Sequence, residues 1–420
     1  MKIGLLVIGS EVLDGKTNDL NTKILSEFLR TKQLEIKEAM TVRDSDWAIK
    51  NGLEILFSRN DLIITTGGLG PTEDDITKKT IASFLNKKII YSKEAHRISE
   101  ENYKQFNRPY PGKEHGYSFL PEGFSALSNS SGFAPGLSFQ ENGKYLFSAP
   151  GVPREFKSML DDHLMEFISD ALDHSFHLDS LMVRTKGIPE EKIFNEVDPE
   201  LWKKLEAFGE VSSLPVLMGV DIGVKFKAHS QEEIAKLASG VKEVFENSPI
   251  KSSIWNYGFE TLEEKIVRIA NHRKIKFGFA ESATGGLCSH RITNISGSSN
   301  CFMGSIVCYD EKVKEGFLEV KKETLEKYTA VSPQTAKEMA QGLRKQLSLD
   351  IAISITGFAG PGGGNDKFPV GSVCIGICNK DNVPKAQDFI FKGERLLLKE
   401  RFAQAALHTL LEELEKFAPR

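Results

Sequence analysis

The sequence predicts an α/β protein built from several domains, and three observations support this prediction. Its 420 residues exceed what a single compact core usually contains, so two or three domains are expected. In the first third, short apolar runs that end in glycine alternate with segments of helical spacing. The pattern then changes after about residue 175 and again after a Pro/Ser/Gly-containing stretch, "NSPIKSSIWNYG".

The first segment is predicted to form a parallel sheet with helices on both faces. The runs "KIGLLVIG" and "DLIITTG" read as strands, and "NTKILSEFLRTKQ" between them reads as a helix. The stretch "KYLFSAPGVPREFKSMLDDHL" repeats the order of strand, loop and helix. In such sheets ligands bind beyond the carboxyl ends of the strands, so the loops that follow these strands are the first candidates for a site.

The middle segment is predicted to be a small α+β unit. It contains "LMVRTKG", "PEEKIFNEVD", "GVDIGVKFKA" and "SQEEIAKLASGVKEVFE", and Ser230 with Glu233 has the spacing of a capping box. The stretch "NSPIKSSIWNYG" is interpreted as a linker. The predicted domains are therefore residues 1–172, 173–253 and 254–420.

The last segment is predicted to be a second α/β domain. Its strand candidates are "IKFGFAES", "MGSIVCYD", "DIAISITG", "VGSVCIGIC" and "AQDFIFKG", and "ERLLLKERFAQAALHTLLEELEKF" forms a long closing helix. Thr261 and Glu264 predict a capping box, and Ser332 followed by Pro333 predicts the start of another helix.

Composition indicates a soluble, cytoplasmic protein. The net charge of −4 argues against a general nucleic-acid-binding surface, and no apolar run approaches the roughly 20 residues that span a bilayer. Five cysteines without a CxxC pair fit reduced thiols better than a disulfide framework. Cys301, Cys308, Cys374 and Cys378 lie in or beside apolar strand-like runs, so they are expected to be buried.

The loop "TTGGLGPTEDD" is the first candidate site. Gly67, Gly68 and Gly70 allow close approach of a ligand, and Pro71–Thr72 is expected to start a helix whose free amides face an anion. The carboxylates of residues 73–75 have two interpretations. They are either ordinary first-turn acids that complement the helix dipole, with Thr72 as N-cap, or ligands of Mg²⁺ or Mn²⁺ on a bound diphosphate.

A family resemblance bears on this choice. The motifs "GGLGPTEDDIT", "IGSEVLDGKTNDLN" and "APGVPREF" resemble the molybdopterin-binding-like domain of the CinA family over about the first 170 residues. The resemblance implies a three-layer α/β fold and metal-dependent hydrolysis of ADP-ribose to AMP and ribose 5-phosphate. The expected metal is Mg²⁺, Mn²⁺ or Co²⁺, and K⁺ is a further candidate ion at the same site. Related domains only bind or adenylylate molybdopterin, so the substrate stays open.

The resemblance also implies roles for individual residues. Asp74 and Asp75 would hold the metal, and "SGFAPGL" around Gly132–Gly136 resembles another loop of the pocket. The remaining expected ligand contacts are Gly67, Gly68, Gly70 and Thr72 at the phosphate, with Glu11 and Asn21 at the mouth of the pocket.

The second candidate site follows the strand in "FAESATGG". Ser282 lies at the predicted bend, where its hydroxyl is exposed to a ligand and nearby amides can hold an oxyanion. A serine nucleophile needs a base, and His290 is expected on a helix surface or packed. A lysine of lowered pKa can serve instead, and "CYDEKVKEG" offers Lys312 and Lys314 after Tyr309. The alternatives are an ordinary N-cap for the serine and a solvated helix face for the lysines.

Five ordered motifs resemble the C-terminal CinA domain over residues 258–418. They are "AESATGG", "SGSSNCF", "YDEKVK", "AVSPQTAKEMA" and "TGFAGPGGGNDKFPVGSV". The resemblance implies a nicotinamide mononucleotide deamidase that needs no cofactor, in which Ser282 attacks the carboxamide and Lys314, assisted by Tyr309, transfers the proton. The implied substrate contacts are Thr284, Gly285, Gly286, Thr356, Gly357, Gly360, Gly362 and, at the 5′-phosphate, Arg395.

One position departs from the family pattern. The family usually has Asn two residues after the tyrosine, where this chain has Glu311. A carboxylate there adds negative charge near a phosphate-bearing substrate, so the efficiency of the deamidase is in question.

These observations predict a bifunctional hydrolase that recycles pyridine nucleotides, with nicotinamide mononucleotide and ADP-ribose as its small-molecule partners. A homodimer is expected, without membrane or nucleic-acid partners. The middle segment resembles the family's KH-like linker, but "KGIPEE" lacks a G-x-x-G loop with basic flanks. The alternative is a nucleotide- or molybdopterin-binding sensor or scaffold in competence or DNA repair, with one or both sites inactive.

Overall fold

The computed structural model describes residues 1–112, 115–169, 177–381 and 383–417. The chain divides into two compact units, which are Met1–Asp179 with Phe226–Ala235 and Ser180–Lys225 with Lys236–Arg420. Each contains a sheet flanked by helices, so the predicted α/β class is confirmed. The finer division into three domains, and the KH-like character of the middle segment, stay predictions.

The first unit is built around a six-stranded sheet of order β2-β1-β3-β8-β7-β6, and β4 pairs with β5 in a separate ribbon. The strands are β1 (Ile3–Ile8), β2 (Ile36–Val42), β3 (Leu62–Thr66), β4 (Ile89–Tyr91), β5 (Phe119–Pro121), β6 (Ser125–Leu127), β7 (Gly136–Glu141) and β8 (Lys144–Ala149). The helices are α1 (Ser10–Leu13), α2 (Asn21–Thr31), α3 (Asp46–Arg59), α4 (Thr77–Phe84), α5 (Lys93–Gln105), α6 (Pro153–Met159) and α7 (Met165–Ile168).

Helices cover both faces of this sheet, as the alternation predicts. Successive side chains of a strand point to opposite faces. In β1, Leu5 belongs to the apolar cluster that contains residues of α2 and α6, whereas Leu6 belongs to the cluster that contains residues of α3 and α4. The result is a three-layer arrangement with a buried central strand.

The prediction of a purely parallel sheet is wrong at one edge. Strands β2, β1, β3 and β8 are parallel, but β7 runs antiparallel to β8 and β6 runs antiparallel to β7. For β7 and β8 the cause is the turn Asn142–Gly143, where both residues have positive φ, 51° and 74°. An Asn-Gly pair in this conformation joins two adjacent strands in a tight hairpin.

The middle of the chain forms a four-stranded sheet of order β10-β11-β9-β12. Its strands are β9 (His177–Thr185), β10 (Glu210–Val216), β11 (Gly219–Ala228) and β12 (Ile254–Tyr257), and its helices are α8 (Glu190–Lys192), α9 (Leu201–Glu206) and α10 (Gln231–Glu246). The stretch predicted to be a linker contains β12, which pairs with β9. The strand has only four residues, too few for a period-2 pattern to be recognised against the surrounding Ser and Gly.

The C-terminal segment forms a five-stranded sheet of order β14-β13-β15-β16-β17, in which β14, β13 and β15 are parallel and β16 and β17 are antiparallel. The strands are β13 (Phe277–Glu281), β14 (Phe302–Val307), β15 (Ile351–Gly357), β16 (Ser372–Asn379) and β17 (Lys385–Ile390). The helices are α11 (Leu262–Arg273), α12 (Leu287–Thr293), α13 (Glu311–Leu318), α14 (Lys322–Tyr328), α15 (Pro333–Leu347) and α16 (Arg395–Lys416). All five predicted strands and the closing helix are therefore present.

This sheet is also covered on both faces. Phe279 of β13 packs in the cluster that contains residues of α11 and α16, and its neighbour Ala280 packs in the cluster that contains residues of α13 and α15. The long closing helix is accordingly apolar around much of its circumference. Its buried residues include Phe402 and Leu410.

The predicted caps are largely confirmed. Thr261 and Glu264 form a reciprocal capping box at α11, and the Ser332 side chain accepts from the Thr335 amide at the start of α15. At α10 the Ser230 hydroxyl accepts from the Glu233 amide, but the Glu233 carboxylate accepts from the amide of His229 and not from that of Ser230. The capping box predicted at α10 is therefore shifted by one residue at its carboxylate partner.

The predicted burial of the cysteines is confirmed. Five cysteines, Cys288, Cys301, Cys308, Cys374 and Cys378, are free thiols and buried among the described residues. In the same described ranges, no helix has the length and apolar character required to cross a bilayer.

Two helical glycines of the second unit provide a matched test of packing. A Cβ on Gly342 in α15 would lie 1.8 Å from the carbonyl oxygen of Leu318, whereas a Cβ on Gly316 in α13 would meet nothing within 4 Å. In an unobstructed helix, Gly→Ala stabilises by up to about 1 kcal/mol. We expect Gly342→Ala to destabilise by more than about 2 kcal/mol, because backbone must move, and Gly316→Ala to be neutral or stabilising. Thermal and urea unfolding midpoints measure both, and equal effects would contradict the packing described.

Candidate active sites

The carboxyl ends of β1, β3 and β8 open into a cavity of about 620 Å³ in the first unit. This is the edge where parallel strands place their ligand-binding loops. Its walls combine the predicted loops with aromatic and acidic residues that were not predicted. The polar and glycine positions on its walls include Glu11, Asn21, Gly67, Gly68, Gly70, Asp74, Asp75, Tyr117, Gly151 and Glu155.

Glycine is required where these loops cross. Gly67 has φ of 107°, and a Cβ there would lie 2.0 Å from the carbonyl oxygen of Ile8. At Gly70 a Cβ would lie 2.2 Å from Oδ2 of Asp75. At Gly67 a larger residue would therefore collide with backbone at the end of β1, whereas at Gly70 it would have to displace the Asp75 carboxylate.

The predicted helix start at Thr72 is wrong, because α4 begins at Thr77. Residues 71–76 form a turn in which the Asp75 carboxylate accepts hydrogen bonds from the amide and the hydroxyl of Thr72. Thr72 therefore donates to a later carboxylate and caps no helix. The local signals for a helix N-terminus and for this turn are the same, since Thr, Asp and Pro favour both.

Asn21 and Glu11, which were predicted at the mouth of the pocket, both line the cavity, and Asn21 also connects two of its walls. Asn21 is 6% exposed, and its Nδ2 donates to Oγ1 of Thr66 at 2.8 Å and to the carbonyl oxygen of Gly151 at 2.9 Å. Its Oδ1 is buried without a partner among the described residues. Asn21 therefore connects the end of β3 with the loop before α6, while Glu11 lies beside it in the cavity wall.

The acidic residues of the cavity differ in their environments. Asp74 is exposed, and a hydrogen bond from the Thr72 hydroxyl lowers the pKa of its carboxyl. Glu155, in the first turn of α6, is partly buried, and this burial raises the pKa of its carboxyl despite a 2.7 Å hydrogen bond from Asn129. Tyr117, 5% exposed, also lines the cavity, and burial raises the pKa of its phenol.

The donor set of this cavity suits a cation that a ligand helps to hold. Within the described ranges, no group of three or more His, Cys, Asp or Glu side chains is placed to bind a metal ion. Mg²⁺ is commonly bound by one or two carboxylates together with substrate phosphates. Asp74 and Asp75 supply oxygen ligands of this kind, so the residues fit a metal that enters with a diphosphate.

The C-terminal site is built on the buried carboxylate of Glu281, the last residue of β13. This side chain is 0% exposed. It accepts hydrogen bonds from the amides of Gly286, Cys288 and Ser289 at 2.9–3.1 Å and from the Ser289 hydroxyl at 2.6 Å. The carboxylate therefore satisfies amides at the N-terminus of α12 and holds residues 282–286 in a tight turn.

This turn directs Ser282 towards α13. The serine amide donates to the carbonyl oxygen of Ile355 on β15 at 2.9 Å, which fixes the start of the turn to the sheet. Nζ of Lys314 lies 3.1 Å from Oγ of Ser282. The sheet, Glu281 and α13 together bring this serine and lysine into contact across 32 residues of sequence.

Lys314 is buried in an unusual way for a lysine. It is 1% exposed, and besides the serine its Nζ contacts the carbonyl oxygens of Cys308 at 2.7 Å and Tyr309 at 3.2 Å. Burial lowers the pKa of its amine, while the nearby negative groups, including Glu311 and Asp310, oppose this effect. The prediction of a solvated helix face holds for Lys312, which is exposed, and not for Lys314.

Arg395 connects two further predicted residues. Its Nη1 donates to the carbonyl oxygen of Gly360 at 2.6 Å, and its Nη2 donates to Oη of Tyr309 at 3.2 Å. The Tyr309 side chain is 65% exposed and contacts Arg395, so only its backbone carbonyl reaches Lys314. The glycine-rich loop that begins at Gly357, the tyrosine and the start of α16 thus form one rim of the site.

The other predicted contacts occupy varied positions. Thr284 is 0% exposed, and its hydroxyl contacts the buried thiol of Cys288. Gly285 is exposed beside it, while the amide of Gly286 is already bonded to Glu281. The hydroxyl of Thr356 donates to the carbonyl oxygen of Ala330 at 2.6 Å, and Gly362 is exposed in the loop. His290 is exposed on α12.

Sequence reasoning missed several residues of the two sites. Glu281 stands inside a quoted motif, and a carboxylate directly before a predicted helix start was the signal that could have identified it. Lys399 follows Arg395 by one helical turn, a spacing that places both on one side of α16. Tyr117 and Glu155 had no local signal, because they reach the N-terminal cavity only through the fold.

Comparison with known proteins agrees with this two-part organisation. Residues 4–170 match the model of a probable molybdopterin binding domain, and residues 259–414 match the CinA C-terminal domain. A putative competence-damage inducible protein of Clostridium novyi is 34% identical over 414 residues, 99% of each chain. A CinA-like protein of Chloroherpeton thalassium is 35% identical over 421 residues, 98% of each chain.

Among solved structures, a competence/damage inducible protein of Agrobacterium tumefaciens is 32% identical, with 37% of this chain and 95% of that chain covered and a TM-score of 0.36. The full-length matches extend across both domain models and the segment between them. The chain therefore belongs to the CinA family, with a probable molybdopterin binding domain followed by a CinA C-terminal domain.

Proposed function

We propose that the C-terminal site is an amidohydrolase that converts nicotinamide mononucleotide to nicotinate mononucleotide and ammonia. The contact between the buried amine of Lys314 and the hydroxyl of Ser282, 3.1 Å, carries this proposal. A serine next to a lysine of lowered pKa is an activated nucleophile for acyl transfer. The family resemblance supplies the substrate class, and the site residues supply the chemistry.

In the proposed reaction the neutral amine of Lys314 takes the proton of Ser282 as Oγ bonds to the carboxamide carbon. The same proton passes to the nitrogen that leaves as ammonia, and the C–N bond breaks to give an acyl-serine ester. Water then attacks the ester with Lys314 again as base, and the C–O bond to Ser282 breaks. The products are the carboxylate and free serine, so one water is consumed for each ammonia released.

Removal of the nucleophile provides the direct test. We expect Ser282→Ala to lower ammonia release from nicotinamide mononucleotide by at least about 10³-fold, because no oxygen remains to form the ester. The hydrolysis of ADP-ribose by the same variant should be unchanged. Ammonia is measured by a coupled assay, and unimpaired release by a correctly folded variant would exclude Ser282 as the nucleophile.

Glu311, which stands where the family usually has Asn, predicts a shift in the pH profile of the proposed deamidation. Lys314 must be neutral to act as base, so the rate rises with pH through the pKa of Lys314. The Glu311 carboxylate raises this pKa, and we expect Glu311→Asn to move the acid limb of kcat to lower pH. Because Glu311 is exposed, the shift should be about a few tenths of a pH unit. The control Glu315→Gln, an exposed residue of the same helix, should leave the profile unchanged, and equal profiles for all three proteins would contradict this coupling.

We further propose that the N-terminal cavity hydrolyses ADP-ribose to AMP and ribose 5-phosphate with a divalent cation. The cavity's volume of about 620 Å³ is within the range of small-molecule sites. Asp74 and Asp75 would hold the cation, which would neutralise the diphosphate that the carboxylates alone repel. The alternative of a pterin or nucleotide sensor without turnover uses the same cavity, and the assay separates the two.

Charge removal at Asp75 tests this second activity. We expect Asp75→Asn to lower metal-dependent ADP-ribose hydrolysis by about 100-fold, since a carboxylate ligand is lost while the amide keeps a similar shape. Glu73→Gln is the matched control, because Glu73 is exposed and absent from the cavity wall. AMP release is measured by chromatography with Mg²⁺, Mn²⁺ or chelator. Equal losses in both variants would indicate a general charge effect and would contradict the assignment.

A further inference from the structure

A separate cavity of about 380 Å³ lies in the second unit, and the mechanism proposed above makes no use of it. Residues of β9, β11, β12, α11, α12 and α16 contribute to its wall. Its volume is within the range of small-molecule sites. The polar and aromatic residues of the wall that matter here are Arg184, Asp221, Trp255, Arg291, Gln404 and His408.

A chain of side-chain hydrogen bonds fixes the tautomer of His408, which is 4% exposed. A guanidinium can only donate, so the 2.6 Å contact of Arg291 Nη2 identifies the acceptor on Gln404 as its carbonyl oxygen. The amide nitrogen of Gln404 then donates to Nε2 of His408 at 3.2 Å. Burial, together with nearby cations, lowers the pKa of the His408 imidazole to about 3. The ring is therefore neutral, and its single hydrogen is on Nδ1.

Three N–H donors of this wall lack an acceptor. Nδ1 of His408, Nη1 of Arg291 and Nε of Arg184 are buried and have no hydrogen-bond partner among the described residues. The other two nitrogens of Arg291 are bonded to side chains of α11 and α16. Nε of Arg184 is 3.8 Å from Oδ2 of Asp221, which is too far for a hydrogen bond. Buried donors normally have a partner, so three exceptions in one wall require an explanation.

These nitrogens lie behind the surface of the cavity. Each is closed to water, although its side chain belongs to a residue of the wall. A ligand therefore reaches them only after a rotation of wall side chains. A donor that bonds neither protein nor water destabilises the site, and an acceptor on a ligand removes this penalty. Movement is least restricted at the hairpin between β10 and β11, where Val216 is 41% exposed.

The charges of the wall favour a singly charged acceptor. The guanidinium groups of Arg184 and Arg291 are balanced by the carboxylates of Asp221 and Glu263, which belong to the same wall. A dianion such as a phosphate would therefore bring two uncompensated charges. A carboxylate brings one, and its planar shape matches the paired donors of a guanidinium.

The rest of the wall favours an aromatic ligand. The ring of Trp255 lies edge-on to His408 with 5.5 Å between the ring centroids, and Cζ of Arg184 is 5.7 Å from the centre of the indole. Apolar side chains of Val216–Met218 and Leu262 complete the wall. A planar ring can pack against these groups while its carboxylate is directed towards the donors.

We propose that this cavity binds a small aromatic monocarboxylate, whose carboxylate accepts hydrogen bonds from Arg184, Arg291 and His408 and whose ring packs against Trp255. The proposal does not depend on the amidohydrolase function, because the wall shares no residue with the Ser282 site. The ligand contacts α12 through Arg291. The first residues of this helix bond Glu281, so the new site adjoins the helix that supports the Ser282 turn.

The ligand class is tested by isothermal titration of the full chain with benzoate, benzamide and acetate. Benzoate should bind with a Kd of about 1 mM or lower, in line with its few heavy atoms. Benzamide has the ring without the charge, and acetate has the charge without the ring, so each should bind at least about 10-fold more weakly. Absence of benzoate binding, or benzamide binding as tightly as benzoate, would overturn the proposal.

The location is tested by two tryptophan substitutions on β10. Val216 and Leu214 are two residues apart, so their side chains are on the same face of the strand, and both are exposed, 41% and 61%. Val216 belongs to the wall, whereas Leu214 does not. Val216→Trp should fill the mouth and weaken benzoate binding by at least about 10-fold, and Leu214→Trp should bind as the parent. Equal affinities in the two variants would show that benzoate binds elsewhere.

The charge of the site is tested by one variant that should gain affinity and one that should lose it. Asp221→Asn removes a carboxylate near the proposed anion and should tighten benzoate binding by about 3- to 10-fold without affecting benzamide. Arg184→Gln should weaken benzoate binding by about 10-fold. A gain of affinity does not arise from misfolding, so the first variant is informative even if the second folds poorly. Weaker benzoate binding by Asp221→Asn would contradict the proposed position of the carboxylate.

A last variant separates this cavity from the proposed active site. Ser282→Ala should bind benzoate with the affinity of the parent, whether or not the parent releases ammonia from nicotinamide mononucleotide. If Ser282→Ala loses benzoate binding, the carboxylate occupies the Ser282 site and the new site is wrong. If the parent releases no ammonia but Val216→Trp selectively weakens benzoate binding, the amidohydrolase function fails and the carboxylate site stands.

Discussion

The buried carboxylate of Glu281 is the constraint on which the C-terminal site depends. A carboxylate removed from water is strongly unfavourable unless donors replace the lost hydration. Four hydrogen bonds from the turn and the first residues of α12 do so. These donors can reach Glu281 only if residues 282–286 fold back over the end of β13. The turn that supplies donors to the buried Glu281 carboxylate therefore also places the Ser282 hydroxyl at the end of the strand.

The sequence predicts most of the strands and helices of the two α/β sheets but few of the polar contacts. Strand–glycine–helix patterns identify β1, β3 and the five strands of the C-terminal sheet, since burial leaves a period-2 or continuous apolar signal. The burial of Lys314 leaves no such signal, because "DEKVKEG" has the composition of a solvated helix face and only the resemblance singled out this lysine. At Thr72 the local sequence is compatible with both a helix start and a turn. The hydrogen bond from the Thr72 amide to the Asp75 carboxylate stabilises the turn. Long-range contacts of polar groups are what local patterns cannot encode.

The two candidate sites are organised in different ways although both lie at the carboxyl ends of parallel strands. In the C-terminal site the Ser282 hydroxyl and the Lys314 amine are already in contact, and protein hydrogen bonds hold them, which is the arrangement that the proposed catalysis requires. In the N-terminal cavity Asp75 bonds Thr72, and Asp74 is exposed. Among the described residues, the carboxylates of this cavity do not come together as a complete set of metal ligands. Under the proposed function, the cation and the diphosphate would complete this site together, so their binding should be mutually dependent.

Under the proposed function, the geometry at Lys314 accounts for a lysine in the role that many hydrolases give to histidine. A neutral amine has two N–H donors and one lone pair. As a charged amine Lys314 donates to the carbonyl oxygens of Cys308 and Tyr309 and to the hydroxyl of Ser282. In the neutral form that the proposed mechanism requires, the two carbonyl oxygens would accept one N–H each, and the lone pair would be left for the hydroxyl of Ser282. The same carbonyls also stabilise the charged amine, and burial must therefore outweigh them to keep the base neutral. If Lys314 is the base, as proposed, the burial that lowers the pKa of its amine also sets the pH at which Ser282 is activated.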